Sequence, residues 1–169
     1  MEQKLDTKIT FRDKISKFYQ SHKIKIIFLL FAILIISITA ILIKQKKEKN
    51  NILIAEKYVQ AVLNLSQNKE TEAKNLLDEI ILSENKFYSV LALNRVVEKN
   101  LIDNDEKILE YFNIVENLNL NEEDLDLLIF KKALFLLKTS KKKEGNELLE
   151  KLIKKDSKFK KLAEDAVLN

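Results

Sequence analysis

The sequence contains no cysteine, proline or tryptophan, and it has only one glycine and one histidine. Without cysteine there is neither a disulfide framework nor a thiolate metal site, which fits a reducing cytosol and a periplasm equally well. Without proline, and almost without glycine, the chain has few residues suited to strand turns and few that break helices. These absences predict an all-α protein built from long helices.

The same shortages argue against catalysis. The one histidine, His22, stands beside Lys23 and outside the predicted domain. A serine triad within the domain would therefore lack its histidine base. No cluster of His, Cys and Asp offers metal ligands, and Gly145 alone cannot build a phosphate-binding loop. Helix capping is the simpler explanation for the one concentrated run of acids, at Glu122, Glu123, Asp124 and Asp126. We expect no enzyme, no cofactor, no metal and no small-molecule substrate.

Positive charge is concentrated near the N-terminus. Residues 1–50 carry eleven Lys/Arg against four acids, whereas residues 51–169 carry nineteen against twenty-two. A basic chain suggests nucleic acid when its charge lies on the folded domain. Here most of the excess flanks an apolar segment, where anionic lipid headgroups are the natural partner. We therefore expect membrane lipid as a partner and no nucleic acid.

That apolar segment, Ile26 to Ile43, has eighteen residues without a charge. As a helix it would be roughly 27 Å long, close to the thickness of a hydrocarbon core, with Lys25 and Lys44 able to reach the headgroups. We predict a basic tail (1–25), a transmembrane anchor (26–43) and a helical domain (44–169). The anchor residues are Ile26, Phe28, Leu30, Phe31, Leu34, Ile36, Ile41 and Ile43.

A cleaved signal peptide is the alternative to a retained anchor. Its best cleavage site follows Ala40, but bulky Ile38 would stand at −3 and the apolar run continues to Ile43. Retention is therefore favoured. The flanking charges leave orientation nearly open, because residues 11–25 and 44–58 each contain five basic residues. The more distant Lys4 and Lys8 favour a cytoplasmic N-terminus.

Beyond the anchor, the sequence predicts a series of short helices. No breaker separates Ile43 from a helix near residues 52–66. Its apolar face carries Ile52, Ala55, Val59, Val62 and Leu63, with Ile54, Tyr58 and Leu65 beside them. Helices follow at about 69–82, 86–100, 103–116, 121–138 and 142–154, and a short one comes after Ser157. We expect Asn68, Asp103 and Asn121 to cap three of them.

Two of these helices resemble each other. AKNLLDEII at 73–81 matches GNELLEKLI at 145–153, at an offset of 72 residues or two periods of 36. In helical hairpin arrays, a small residue lets two helices approach closely and large residues fill the contacts on either side. Chance similarity between amphipathic helices is the alternative. The predicted packing residues are Ala73, Leu76, Leu77 and Ile80, matched by Gly145, Leu148, Leu149 and Leu152; Ile108, Tyr111, Phe112 and Val115 continue the pattern loosely.

A basic tail, one span and about three degenerate tetratricopeptide-like hairpins resemble the YfgM-like family, the ancillary subunits of the SecYEG translocon. The resemblance covers residues 15–169 and rests on architecture and on the Ala73 and Gly145 helices. The turn glycine and terminal proline usual in tetratricopeptide repeats are absent. The resemblance implies a bacterial inner-membrane protein with a cytoplasmic N-terminus and a periplasmic domain. It further implies protein partners: the Sec translocon, periplasmic chaperones or newly exported polypeptides.

Two other functions remain open at this point. One is a structural scaffold of another envelope complex, such as those of division, secretion or pilus assembly. The other reverses the topology and makes the domain a cytosol-facing, membrane-tethered adaptor.

Charge is also segregated within the predicted domain. Residues 98–126 hold ten acids and two lysines, and residues 138–161 hold ten lysines and four acids. Two readings are possible: solvated helix faces, or a dipolar surface that steers a charged partner or a second copy.

Overall fold

A computed structural model describes residues 11–168, apart from the side chains of residues 11–14 and 17, so much of the predicted basic tail lies outside the described residues. Within this range the chain forms seven α-helices and no strand, which confirms the all-α prediction. The helices are α1 (Phe11–Ser66), α2 (Glu70–Leu82), α3 (Tyr88–Glu98), α4 (Asp105–Glu116), α5 (Glu122–Leu137), α6 (Lys142–Lys154) and α7 (Lys160–Val167). The chain divides into two compact units, residues 1–49 and 50–169.

In the first unit, α1 is long and apolar enough to cross a membrane, which confirms the prediction of one such helix near the N-terminus. None of its most apolar stretch is buried against other described residues, so it is not the core helix of a globular domain. Ser37 and Thr39 donate hydrogen bonds to the carbonyls four residues earlier, at 2.9 and 2.8 Å. These bonds remove the cost of two unpaired hydroxyls in an apolar environment.

In the second unit, each helix from α2 to α7 packs against its neighbours along the chain, and α2 also contacts α4. The links between these helices are only four to six residues long, as expected for successive antiparallel helices. Two hydrophobic clusters result. The larger joins α2, α3 and α4 with Ile54 and Ala61 of α1 and Leu128 of α5. The smaller is built from Ala133, Leu149, Leu152 and Ala163 of α5, α6 and α7.

One burial pattern recurs on alternate helices. In α2, α4 and α6, three residues at positions i, i+4 and i+7 are buried, and the three sets lie 35 and 37 residues apart. They are Ala73, Leu77 and Ile80; Ile108, Phe112 and Val115; and Gly145, Leu149 and Leu152. Leu76 and Leu148 are half-buried. The spacing matches one face of an α-helix, so α4, which follows the sequence pattern only loosely, follows the burial pattern fully.

At Gly145, α6 lies very close to α5. A Cβ atom at this position would lie 2.9 Å from the backbone oxygen of Ala133 and 3.2 Å from Cβ of Leu136. Both atoms belong to the opposing helix and cannot rotate away. The hydrogen side chain of glycine is therefore what allows the two helices to touch.

Two predicted helix caps are wrong. Asn68 does not cap α2; it adopts a left-handed backbone with φ of 57° just after α1. Glu84, Asn100 and Asp156 adopt the same conformation after α2, α3 and α6. This conformation ends helices and is usually taken by glycine, so in a glycine-poor chain asparagine and acidic residues supply it.

The cap of α4 is Asn104 rather than Asp103. The Asn104 side chain accepts a hydrogen bond from the backbone N–H of Lys107 at 3.0 Å. The predicted cap of α5 is confirmed, because Asn121 accepts from the backbone N–H of Asp124 at 2.8 Å. Acids in the first turns of both helices lie where the helix dipole favours negative charge.

The predicted apolar face of α1 beyond the anchor does not face the core. Ile54 and Ala61 are buried instead, with Tyr58 and Leu65 packed beside them. Ile52, Val59 and Leu63 are more than half exposed on the opposite side of the helix. Spacing alone could not distinguish the two faces, because apolar residues occur on both.

We expect Gly145→Ala to lower the free energy of unfolding by about 1–2 kcal/mol, although alanine is the better helix former by about 1 kcal/mol. The added methyl group must push α5 and α6 apart. Chemical denaturation of the full chain in detergent micelles, followed by circular dichroism, measures the change. Glu147→Ala, at an exposed position of α6, is the control and should leave stability within about 0.5 kcal/mol. A Gly145→Ala protein as stable as the control would contradict the close contact.

Candidate functional site

One recess in the second unit is bounded by α3, α4 and α5. We call it the α3–α5 groove, and its volume is about 490 Å³. Its floor is apolar and consists of Val97, Phe112, Leu134 and Phe135. The rings of Phe112 and Phe135 lie 5.9 Å apart in a tilted arrangement, within the range of favourable aromatic pairs. An apolar floor with polar groups at its edge is typical of a binding site.

Polar side chains surround this floor. Asn94 and Asn100 contribute amides, and Thr139 contributes a hydroxyl. Lys131 and Lys138 contribute ammonium groups, and Glu98 and Asp105 contribute carboxylates. Nζ of Lys131 donates to Oδ1 of Asn94 at 2.8 Å. This bond fixes the Lys131 side chain across the gap between α5 and α3. The amide group of Asn94 and the remaining ammonium protons of Lys131 stay available as hydrogen-bond donors.

The groove is positioned by the packing beneath it. Phe112 is buried in the larger cluster, and Phe135 and Val97 pack against that cluster from the groove side. The floor is thus the upper surface of the core, and a rigid floor of this kind holds binding groups in fixed positions.

A second recess, about 500 Å³, lies between the start of α5 and the α6–α7 link. Its polar groups are occupied by one another. Asp126 is buried and accepts hydrogen bonds from Nζ of Lys155 at 2.8 Å and from the hydroxyl of Ser157 at 2.7 Å. Lys155 also pairs with Glu122 at 3.0 Å. These contacts join α5 to the α6–α7 link, and we interpret the recess as structural.

These ion pairs also bear on the segregated charges. Four acids of the acid-rich residues 98–126 pair with three lysines of the lysine-rich residues 138–161. The pairs are Glu106 with Lys141, Glu122 and Asp126 with Lys155, and Glu123 with Lys158. Part of each segment therefore faces the other across a helix boundary. Except for that of buried Asp126, the carboxylates of these pairs are exposed, and exposed ion pairs contribute little to stability.

Tyr111 and Asp78 form the other strong polar contact of the core. The Tyr111 hydroxyl donates to Oδ1 of Asp78, which joins α4 to α2. Burial and the neighbouring carboxylate raise the pKa of Tyr111 well above its usual range. The hydroxyl therefore stays protonated and remains a donor, which suits a structural bond.

The residues singled out from the sequence do not form one site. The anchor residues lie in the first unit. Of the packing residues, Leu77 and Ile80 belong to the larger cluster, whereas Leu149 and Leu152 belong to the smaller one. Across the described part of the chain, no group of three or more His, Cys, Asp or Glu residues could hold a metal ion.

Sequence reasoning missed the α3–α5 groove. The available signal was the pair Lys131 and Lys138, which stand seven residues apart in the second half of α5 and just beyond its end. Their spacing places both on one face of α5, and neither falls on the face that contacts the core. Asn94 and Asn100 gave no such signal, because only the packing of α3 against α4 and α5 brings them to the same place.

No family model, curated protein or solved structure matches this chain. Proposals about its function therefore depend on its own residues and on the resemblance described above.

We expect Asp126→Asn to destabilise the protein by about 1–3 kcal/mol at neutral pH, because Lys155 and Ser157 lose a buried charged acceptor. Burial alone would raise the pKa of Asp126, but the hydrogen bonds from Lys155 and Ser157 lower it below its ordinary value. Since the folded pKa is lower than the unfolded one, the stabilisation is present above the unfolded pKa. It is lost as pH falls through the folded pKa.

The difference between wild type and Asp126→Asn should therefore shrink below about pH 4. Thermal unfolding of the full chain at several pH values measures it. Glu147→Gln, which removes an exposed carboxylate of α6, should change stability little at any pH. A stability difference for Asp126→Asn that persists unchanged at low pH would contradict the ionised pair.

Proposed function

We propose that this protein is a non-catalytic, inner-membrane-anchored binding module. Its tetratricopeptide-like helical domain lies in the periplasm and is associated with the Sec translocon, where it binds chaperones or newly exported polypeptides. The observation that carries the proposal is the α3–α5 groove, an apolar floor bordered by polar and charged side chains, on a domain that follows a helix long and apolar enough to cross a membrane. Helical-repeat proteins use such recesses to bind segments of other proteins.

Several features support a binding role. The buried polar side chains Ser89 and Asp126 are both hydrogen-bonded within the fold. These bonds give both side chains a structural role. The recurring burial on α2, α4 and α6 supports a repeat array, because each of these helices buries residues at the same positions, i, i+4 and i+7. The periplasmic location and the translocon rest on the family resemblance alone.

A second candidate is a scaffold of another envelope complex. The observation that favours it is the exposed apolar face of α1 formed by Ile52, Val59 and Leu63, with Ala55 beside them. A helix of one fixed partner would cover such a face. A scaffold of this kind copurifies with a single complex in constant proportion, whereas a protein that binds varied clients does not.

The topology is tested by a reporter fused after Asn169. We expect alkaline phosphatase, which folds only outside the cytosol, to be active in this fusion, and green fluorescent protein exported by the Sec route to be dark. Fusions placed before residue 11 serve as the reciprocal control. A fluorescent C-terminal fusion with inactive phosphatase would instead establish the cytosol-facing adaptor.

Binding is tested by a photo-crosslinking amino acid at Glu98, an exposed position on the border of the groove. In living cells we expect crosslinks to exported polypeptides, chaperones or translocon subunits. The same amino acid at Glu147, exposed on α6 outside the groove, is the matched control and should give few of them. Capture of none of these partners from Glu98 would refute the proposed function.

A further inference from the structure

Phe87 is the one exposed aromatic side chain among the described residues of the second unit. Its exposed fraction is 64%, whereas the other phenylalanines and the tyrosines of that unit are buried or half-buried. Phe87 ends the link between α2 and α3, residues 83–87, which we call the α2–α3 link. Leu82, the last residue of α2, is 50% exposed at the other end of this link. Two large apolar side chains thus flank one short link, and their burial by a partner would be favourable.

Hydrogen bonds hold the α2–α3 link in place. Oδ1 of Asn85 accepts from the backbone N–H groups of Phe87 and Tyr88, at 3.1 and 3.0 Å. Nζ of Lys86 donates to the carbonyl oxygen of Asn119 at 2.6 Å, which joins this link to the one between α4 and α5. The ring of Phe87 meets that of Tyr88 edge-on, with 5.0 Å between the centroids. The fold therefore holds the Phe87 ring at the surface.

The α2–α3 link lies where the chain enters the second unit. Nδ2 of Asn85 donates to Oδ1 of Asn51 at 2.8 Å, and Asn51 is the second residue of that unit. Asn51 follows Ile43, the last residue of the apolar segment, by eight residues of α1, a rise of roughly 12 Å. The headgroup layer of one leaflet occupies about 5–7 Å of that distance. The remaining few ångströms are within the reach of a side chain such as Phe87.

The α3–α5 groove extends to the opposite end of the same helices. The links after α2 and α4 meet through Lys86 and Asn119. At the other end of α4, the link after α5 contacts the first turn through Lys141 and Glu106, at 2.8 Å. Thr139, in this same link after α5, borders the groove. A partner that covers the α2–α3 link therefore leaves this border of the groove open.

We propose that the α2–α3 link is a second membrane contact of this protein, in which Phe87 and Leu82 enter the interface of the lipid bilayer. Phenylalanine and leucine are side chains that interfacial segments bury at the boundary between headgroups and acyl chains. The link carries one acid and one base, Glu84 and Lys86, so its charge is balanced and the contact needs no anionic lipid. The inference goes beyond the proposed function and does not depend on it, because both leaflets of a membrane offer this interface.

The test uses the absence of tryptophan from the chain, since one introduced tryptophan then reports on one position. The full chain with Phe87→Trp is placed, one copy per disc, in phosphatidylcholine nanodiscs with or without bromine on the acyl chains. Brominated lipid should lower the tryptophan emission about two-fold, because bromine quenches a ring that touches the acyl chains. Bromine near the glycerol end of the chains should quench more than bromine near their methyl end. Adding phosphatidylglycerol should change the quenching little.

Ser140→Trp is the matched control, at an exposed position in the link after α5. Brominated lipid should leave its emission unchanged. Leu82→Trp tests the neighbouring apolar position and should be quenched, which keeps the experiment decisive where tryptophan at Phe87 disturbs the link. Circular dichroism establishes that each variant is folded.

Quenching of Phe87→Trp or Leu82→Trp no stronger than that of Ser140→Trp would overturn the proposal. So would a blue-shifted emission of Phe87→Trp that brominated lipid does not quench and that requires two copies in one disc, because a second copy of the chain would then cover Phe87. The crosslinks from Glu98 test the groove separately, so the failure of one idea is distinguishable from the failure of the other.

Discussion

Everything in the helical domain depends on one packing constraint: α2, α4 and α6 must each bury the same face against their neighbours. None of the links between helices is long or rich in proline or glycine, so loops contribute little to holding the domain together. The contacts between buried side chains hold the helices together. Full burial of a large aliphatic side chain contributes about 1.5–3 kcal/mol, and the three repeating sets provide several such residues. The groove exists because this core has a surface between α3, α4 and α5 that no further helix of the described chain covers.

The constraint is satisfied differently in each helix. In α6 the first position of the set is Gly145, and the backbone of α5 approaches so closely that no larger residue fits. In α4 the corresponding position holds Ile108, which is almost fully buried in the larger cluster. A small residue is therefore not a general requirement of the array. It is needed where two helices touch directly and is unnecessary where a gap between them must be filled.

The sequence predicted the helices well, including one near the N-terminus that is long and apolar enough to cross a membrane, because these features depend on local composition and short-range periodicity. It also indicated Gly145 as a packing position, because the repeat aligns this residue with Ala73 and a small residue there lets two helices approach. The failures at Asn68 and Asp103 have a common cause. Asparagine and aspartate can begin a helix or end the preceding one, and only the geometry of the link decides which. The wrong face of α1 has a tertiary cause, because the side of the helix that α2 and α3 cover is not encoded in α1 itself.

The groove could not have been predicted for the same reason. Asn94 and Lys131 are 37 residues apart and meet across two helices, so their contact depends on the position of the whole array. The charge pattern becomes informative only once that array is known. In sequence, the acids of 98–126 and the lysines of 138–161 stand out as two blocks, but several of their members neutralise each other across helix boundaries.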